Sequence, residues 1–402
     1  KIKESSIKSI AVCFLHAYAN PSNELRCKEI IKKNYPEAQV TLSHELTKEW
    51  REYERTSTAV LNAYVKPIAE KYLTSLDRRL NKIGIQAERY LMQSNGGVTT
   101  FSGGRTAPVL LVESGPVAGV IGAQALGQKI GEKNIISLDI GGTTAKTSLL
   151  KNGKMTINTD YYIEKTPIYA GYPLKIPVAD IVEIGAGGGS IAWIDKGGAL
   201  QVGPKSAGAD PGPACYGKGS MEPTLTDANV ITSRINPDYF LGGEMKIHNN
   251  LAKKAMGKVA KTFNTSIEDA ALAVTRIAES SMINLLKIIS LRRGYDPRDF
   301  SMISIGGGSG IHAPKLAQEL RMKKIIVPRN PGHFSAWGML MTDLRHDFLT
   351  TCVANADNSA VKRADDLFAK MEGQAIKMLK HEQVKSEDIY FKKQIDVRYK
   401  GQ

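Results

Sequence analysis

The sequence predicts an α/β fold, and three observations carry this prediction. An apolar segment at 9–17, a helical segment after Pro21 and a second apolar segment at 39–43 form a strand–helix–strand unit, which is typical of a parallel sheet. Segments 135–139, 145–150 and 154–159 then predict three antiparallel strands, joined by a Gly-Gly-Thr-Thr turn and an Asn-Gly turn. Finally, the predicted strand 301–305 runs into a Gly-Gly-Gly-Ser-Gly loop that opens a helix.

The arrangement of the two glycine loops, the first of them on an antiparallel three-stranded unit, indicates the ribonuclease H-like fold of actin-like ATPases. In that fold two related α/β domains close on a nucleotide. The sequence contains one such unit with an Asp-Ile-Gly-Gly-Thr turn, so the matching unit of the first domain is expected before Lys1. The chain also lacks an initiating Met and ends within a strand-like segment, 394–402. We therefore expect it to lack both natural ends.

The remaining elements follow in chain order. Segment 49–80 is helix-prone and is predicted to break near Pro67, because proline cannot donate the helical hydrogen bond. Segment 185–243 is rich in glycine and proline, which favours a long functional loop region. Segment 266–293 is the best helix, with Ser266 and Asp269 as its cap, and 323–327 is a further strand. The predicted division is a first actin-like domain at 1–130, a second at 131–348 and the start of a C-terminal domain at 349–402.

Composition excludes several classes of protein. At 402 residues, with 42% hydrophobic and 23% charged residues, the chain is an ordinary globular protein of more than one domain. It has no apolar segment of membrane-spanning length and no signal peptide. The four cysteines show no CxxC spacing, so we expect reduced thiols in a cytoplasmic protein and neither zinc nor disulfides. The net charge of +14 is spread over helix faces, which argues against nucleic acid and suits a phosphate cleft or an acidic partner subunit.

The first loop that could carry chemistry lies at the turn after strand 135–139. Glycines allow this turn to bend sharply and expose main-chain N–H groups, which can hold phosphate oxygens together with threonine hydroxyls. A strand-end aspartate can hold the water shell of Mg²⁺ or orient an attacking water. The alternative is an ordinary β-hairpin in which the aspartate has only a structural role. The candidate residues are Asp139 for catalysis and for the metal, and Gly141, Gly142, Thr143, Thr144 and Lys146 for the nucleotide.

Two further loops are candidates for nucleotide binding. The loop Gly306, Gly307, Gly308, Ser309 and Gly310 brings a helix N-terminus against a ligand and suits adenosine or a ribose phosphate. Its alternative is tight strand–helix packing, and His312 beyond it is expected to be structural. The loop Gly187, Gly188, Gly189 and Ser190 could cover phosphates or act as a hinge, and it is not a Walker motif. Asp180 and Glu183 before it could be metal-linked or a solvated pair.

Longer stretches resemble one known family. Residues 185–193, 202–217, 222–229 and 238–243 are similar to the hydantoinase A / 5-oxoprolinase family, which includes the acetone carboxylase β subunit. The same holds for 51–58, 92–97, 114–116 and 338–347, so the resemblance covers nearly the whole chain. It implies an ATP- and Mg²⁺-dependent subunit that phosphorylates a small cyclic amide or a ketone. It also implies a partner of the hydantoinase B or carboxylase α type, hence a hetero-oligomer.

Within this family the sequence leaves the branch open. Many hydantoinase-type members have a histidine before the glycine-rich loop, where this chain has Val182, and this departure favours the carboxylase branch. Activation could therefore lead to hydrolysis of a cyclic amide or to carboxylation of a ketone. A different class, a non-catalytic nucleotide-binding or chaperone-like module, is the second hypothesis. Segment 185–243 speaks against it, because it resembles the metabolic family.

Overall fold

The computed structural model describes residues 5–165 and 168–399. The helices are α1 (Ser22–Asn34), α2 (Ser43–Leu46), α3 (Glu52–Lys82), α4 (Phe101–Thr106), α5 (Ser114–Ile130), α6 (Leu225–Ile231), α7 (Asn249–Thr262), α8 (Ile267–Ile289), α9 (Ser309–Glu319), α10 (Phe334–Met339) and α11 (Asn358–His381). The strands are β1 (Ser9–Val12), β2 (Gln39–Leu42), β3 (Tyr90–Met92), β4 (Val98–Thr100), β5 (Ile135–Ile140), β6 (Ala145–Lys151), β7 (Lys154–Met155), β8 (Ile157–Asn158), β9 (Tyr161–Ile163), β10 (Tyr172–Leu174), β11 (Val178–Ala179), β12 (Ile181–Ile184), β13 (Ser190–Ile194), β14 (Leu200–Ser206), β15 (Ser301–Ile305) and β16 (Ile325–Ile326).

The chain forms two compact units. The first comprises residues 1–112, 158–178 and 343–402, and the second comprises 113–157 and 179–342. The units are thus interleaved along the sequence, whereas the predicted domains at 1–130, 131–348 and 349–402 are consecutive. Those boundaries, which come from the family resemblance, stay a prediction. Within the described residues, every helix is too short or too polar to cross a lipid bilayer.

The first unit contains the predicted parallel pair. Strands β1 and β2 pair in parallel, with Ser9 opposite Gln39, and α3 packs across both. The predicted strand 9–17 ends at Val12, because the chain then turns through His16 at a φ of 56°. The predicted break near Pro67 is wrong, since α3 continues through it. Buried residues before and after Pro67, Ala63 and Leu73, hold both halves of the helix in the core.

The stretch 51–58 has a structural role in this unit. Arg55 is fully buried, and its guanidinium donates to the carbonyl oxygens of Phe14 at 2.8 Å and Glu49 at 2.9 Å. It also donates to Ser43 Oγ at 3.1 Å. Because a buried guanidinium requires many acceptors, Arg55 fixes the loops that follow β1 and β2. The predicted strand 394–402 is absent at 394–399, and its last three residues lie outside the described part.

The second unit is a six-stranded sheet between two helical layers. The strand order is β12-β6-β5-β15-β16, with β7 also paired to β6; β5 and β6 are antiparallel, whereas β5, β15 and β16 are parallel. Residues Ile136, Leu138 and Ile140 of β5 join a core with α6, α7, α8 and α9. Residue Ile135 instead faces α5 and α10. Because side chains alternate along a strand, Asp139 lies on the α5 face of the sheet.

Candidate functional site

All sequence-predicted site residues lie in the second unit, and the sheet brings them to one edge. Strands β5 and β15 are parallel neighbours, with Asp139 opposite Ile305. Their carboxyl ends therefore meet, and this edge is where open α/β sheets bind ligands. The turn 141–144 follows β5, and the loop 306–310 follows β15. The structure thus places the first two predicted loops side by side.

The turn 141–144 is largely exposed, and its own main chain makes few hydrogen bonds within it. The main-chain N–H of Gly141 donates to the carbonyl oxygen of Thr144 at 3.1 Å and closes the turn. The main-chain N–H groups of Gly142 and Thr143 have no acceptor among residues 5–165 and 168–399. A side chain at Gly141 or Gly142 would meet only open space. The turn therefore offers main-chain donors toward solvent, as a phosphate-binding turn requires.

The loop 187–190 packs against this turn and donates hydrogen bonds to it. Gly188 and Gly189 donate their N–H groups to the carbonyl oxygens of Gly141 at 3.0 Å and Gly142 at 2.6 Å. Gly187 donates to Ser190 Oγ at 2.9 Å, and Ser190 donates to the carbonyl oxygen of Gly187 at 3.0 Å. A Cβ at Gly187 would lie 2.6 Å from main-chain atoms of Thr143. All four N–H groups thus donate to acceptors within the protein, which favours a supporting role for this loop over direct contact with a ligand.

The loop 306–310 is fixed to the end of β5. The N–H of Gly308 donates to the carbonyl oxygen of Ile140 at 2.9 Å, and Ser309 Oγ donates to that of Leu138 at 3.1 Å. Ser309 is fully buried and is thereby a packing residue of this loop. Gly306 has a φ of +81°, and Gly307 and Gly310 border open space. The loop therefore presents glycine backbone and the first turn of α9 at the same edge as the turn 141–144.

Asp139 lies between these loops and helix α5. The surrounding pocket is formed by Gly119 and Val120 of α5, Lys146 of β6 and Ile305 of β15, among others. Burial raises the pKa of the Asp139 carboxyl above its ordinary value, and the Lys146 cation offsets part of this effect. A carboxylate with a raised pKa is a better proton acceptor. The environment therefore suits a base or a residue that orients water.

Lys146 belongs to an ion-pair cluster that the sequence did not reveal. It is the cross-strand partner of both Asp139 and Glu183. Its Nζ lies 3.1 Å from Glu183 Oε2 and 3.5 Å from Glu113 Oε2. Glu113 precedes α5, so three segments distant in sequence meet at this cation. The sequence marks Glu183 as metal-linked or solvated, and only the pairing of β12 with β6 shows that it faces Lys146 instead.

The acidic residues before the glycine-rich loop are separated from each other. Asp180 pairs with Arg293, whereas Glu183 pairs with Lys146. Among the described residues, no group of three or more His, Cys, Asp or Glu side chains could hold a metal ion alone. Mg²⁺, however, is commonly bound by one or two carboxylates together with waters and phosphates. Asp139 alone is therefore compatible with an Mg²⁺–nucleotide complex.

Comparison with known proteins gives consistent results along the chain. The family model described as hydantoinase/oxoprolinase matches residues 55–348, and the model of its N-terminal region matches 1–35. The uncharacterized protein MJ0964 of Methanocaldococcus jannaschii is 39% identical over 408 residues, covering 100% of this chain and 59% of that protein. Caprolactamase subunit alpha of Pseudomonas jessenii is 36% identical over 360 residues, covering 89% and 51%.

Solved structures of proteins named caprolactamase and acetone carboxylase are also similar to this chain. The ATP-dependent caprolactamase of Pseudomonas jessenii superposes with a TM-score of 0.80 at 33% identity, covering 94% of this chain and 54% of that one. A nucleotide-free acetone carboxylase, from a study of ATP-dependent acetone carboxylation, superposes with a TM-score of 0.78 at 28% identity, covering 95% and 54%. The chain thus spans little more than half the length of the curated relatives it matches.

Proposed function

The chain belongs to the hydantoinase/oxoprolinase family, and from this premise we propose that it is the ATP-dependent part of an enzyme that activates a small cyclic amide or a ketone. This proposal agrees with the function implied by the resemblance of the sequence to the hydantoinase A / 5-oxoprolinase family. The observation that carries the proposal is the shared edge of β5 and β15, where Asp139, the turn 141–144 and the loop 306–310 meet. Relatives named for ATP-dependent chemistry support it.

Each part of the site has a proposed role. The free N–H groups of Gly142 and Thr143, with the hydroxyls of Thr143 and Thr144, bind phosphate oxygens. The loop 306–310 lies along the adenosine and ribose. Asp139 orients a water or holds the water shell of Mg²⁺, which when bound would neutralise phosphate charge. We assign the loop 187–190 to supporting the turn and not to the nucleotide, because its N–H groups are already engaged.

The proposed reaction begins with phosphoryl transfer. The carbonyl oxygen of the substrate attacks the γ-phosphorus of ATP, a new P–O bond forms, and ADP leaves with the electrons of the broken bond. The phosphorylated species carries a good leaving group, whereas the carbonyl oxygen itself is a poor one. For a cyclic amide, water adds to the activated carbon, the ring C–N bond breaks with its electrons and a proton going to nitrogen, and a second water hydrolyses the resulting acyl phosphate to carboxylate and phosphate. For a ketone, a base removes the α-proton to give an enol phosphate, water takes up the phosphoryl group as phosphate, and the released enolate carbon attacks CO2 formed from bicarbonate. The second step is assigned to a partner subunit of the hydantoinase B or carboxylase α type.

The branch of the family is not decided by Val182. This side chain lies on β12 and packs against the core formed with α8, so its apolar character has a structural reason. We therefore propose both substrate classes, cyclic amides and ketones. Relatives that are named as subunits of caprolactamase and acetone carboxylase support a hetero-oligomer. Because ATP and Mg²⁺ are plentiful in the cytoplasm, we place the enzyme there.

The test is ATP hydrolysis by the full-length protein co-expressed with its partner subunit. Caprolactam, 5-oxoproline, hydantoin, or acetone with bicarbonate would be added separately, with and without EDTA. We expect one substrate to stimulate Mg²⁺-dependent ATP turnover at least about tenfold, since correct substrate positioning contributes strongly to rate. Binding of ATP without stimulation by any of them would contradict the proposal and favour a non-catalytic nucleotide-binding module.

The pH dependence of this activity should report on Lys146. Its cation lowers the pKa of Asp139, which burial has raised. In Lys146→Met this offset is lost, so the pKa of Asp139 rises and the carboxylate is populated only at higher pH. We expect the acid limb of kcat/KM to move to higher pH in Lys146→Met and to stay in place in Lys146→Arg, which keeps the charge. An acid limb that moves to lower pH would refute this electrostatic role.

A further inference from the structure

A buried polar network lies behind the two candidate loops and is not used in the proposed reaction. His312, in the first turns of α9, is 1% exposed. Its Nδ1 lies 3.1 Å from Glu279 Oε1 on α8, and its Nε2 lies 3.4 Å from Asn229 Nδ2 on α6. Glu279 also accepts a hydrogen bond from Arg234 Nη1 at 2.6 Å. The network therefore joins three helices through one imidazole.

The protonation of this network follows from its partners. Burial raises the pKa of Glu279, but the hydrogen bonds from His312 and Arg234 outweigh this effect and hold the pKa below its ordinary value. The carboxylate therefore only accepts, so Nδ1 of His312 carries the proton. Nε2 is then free to accept from Asn229. Asn229 Oδ1 is buried without a hydrogen-bond partner within the described residues.

The network connects both candidate loops. His312 lies two residues beyond the loop 306–310, on the helix that this loop opens. On the other side, Thr226 of the Asn229 helix donates from its N–H and its Oγ1 to the carbonyl oxygen of Gly188, each at 2.8 Å. Gly188 in turn donates to Gly141 of the turn 141–144. A continuous path of hydrogen bonds and one short helix thus runs from His312 to the turn.

We propose that His312 is a positioning residue for the nucleotide, which fixes the loop 306–310 relative to the turn 141–144 through Asn229 and Glu279. The inference rests on the proposed function, because it assumes that these loops bind ATP. Stability alone does not account for the network. Buried ionic groups are often replaceable by apolar side chains without loss of stability. A need for fixed loop geometry explains why polar groups occupy this interior position.

The experiment measures nucleotide affinity and turnover in the full-length protein with its partner subunit. The variants are His312→Leu and, as a control, Val274→Ala, which removes buried volume from α8 five residues before Glu279. We expect His312→Leu to raise the Kd for a fluorescent ATP analogue roughly 3- to 30-fold, the range typical of residues that act through others. Turnover at saturating ATP should stay within about threefold. Val274→Ala should lower the Tm and leave the Kd unchanged.

The outcomes separate the two proposals. If the wild-type protein fails to bind ATP, the proposed function fails, and this inference with it. If the wild type binds ATP and His312→Leu binds it equally well, only the positioning role is overturned. A Kd that rises equally in His312→Leu and Val274→Ala would also overturn it, because general destabilisation would then be sufficient. Should the leucine variant not fold, His312→Asn keeps a donor toward Glu279 but loses the acceptor for Asn229, and the same criteria apply.

Discussion

Replacing Asp139 with asparagine is expected to reduce the turnover number for ATP roughly 10²- to 10⁴-fold, the contribution typical of a positioned acid or base. Asparagine preserves the shape of the side chain but neither accepts a proton nor carries the charge that holds a metal-bound water. Because the substitution leaves untouched the groups of the turn 141–144 that we propose bind phosphate, the affinity for ATP should change only a few-fold. Steady-state hydrolysis and equilibrium binding of ATP would be measured on the same preparations.

The same substitution should not destabilise the protein. Burial raises the pKa of Asp139, so the carboxylate is disfavoured in the folded state. This cost is absent at pH values below the ordinary pKa and develops as the pH rises through the raised folded value. Asp139→Asn should therefore be at least as stable as the wild type at neutral pH, and this advantage should disappear in acid. Unimpaired hydrolysis, or a large loss of Tm at neutral pH, would contradict the assignment.

Replacing Gly306 with alanine is expected to lower the free energy of unfolding by about 2–5 kcal/mol and to abolish ATP binding. Two costs combine. The φ of +81° is unfavourable for any residue with a Cβ. The added atom would also lie 2.6 Å from the carbonyl oxygen of Ile140 and closer still to Asp139 Oδ1. The loop must therefore move away from the end of β5, or the Asp139 side chain must shift out of its present position.

Gly307→Ala is the matched control. It changes the next residue of the same loop, where a Cβ would meet nothing within 4 Å and the backbone has no positive φ. Its Tm should stay close to that of the wild type, whereas that of Gly306→Ala falls by several degrees. Thermal unfolding of both variants, with and without ATP, measures the difference. Equal stability of the two variants would show that the close approach of Gly306 to Asp139 is unimportant.

The elements whose structure depends on residues close together in the sequence were the most predictable. The Gly-Gly-Thr-Thr turn, the strands before and after it and the cap of α8 depend on local chemistry, and the structure confirms them: Ser266 Oγ accepts from the N–H of Asp269 at 3.0 Å. His312, which the sequence predicts to be structural, is buried and has protein partners on both ring nitrogens. The prediction that helix 49–80 breaks at Pro67 is wrong, because tertiary packing of α3 on β1 and β2 outweighs the missing hydrogen bond.

The α/β class, the family and the candidate loops are predictable from the sequence alone, because glycine turns, strand ends and long motifs are local properties of the chain. Tertiary structure alone decided what the individual groups of those loops do. It directed the N–H groups of the loop 187–190 to the carbonyl oxygens of the turn, brought Glu113 and Glu183 to Lys146, and buried Asp139 against α5. These outcomes depend on strand pairing and burial between distant segments, and spacing along a single chain does not encode either.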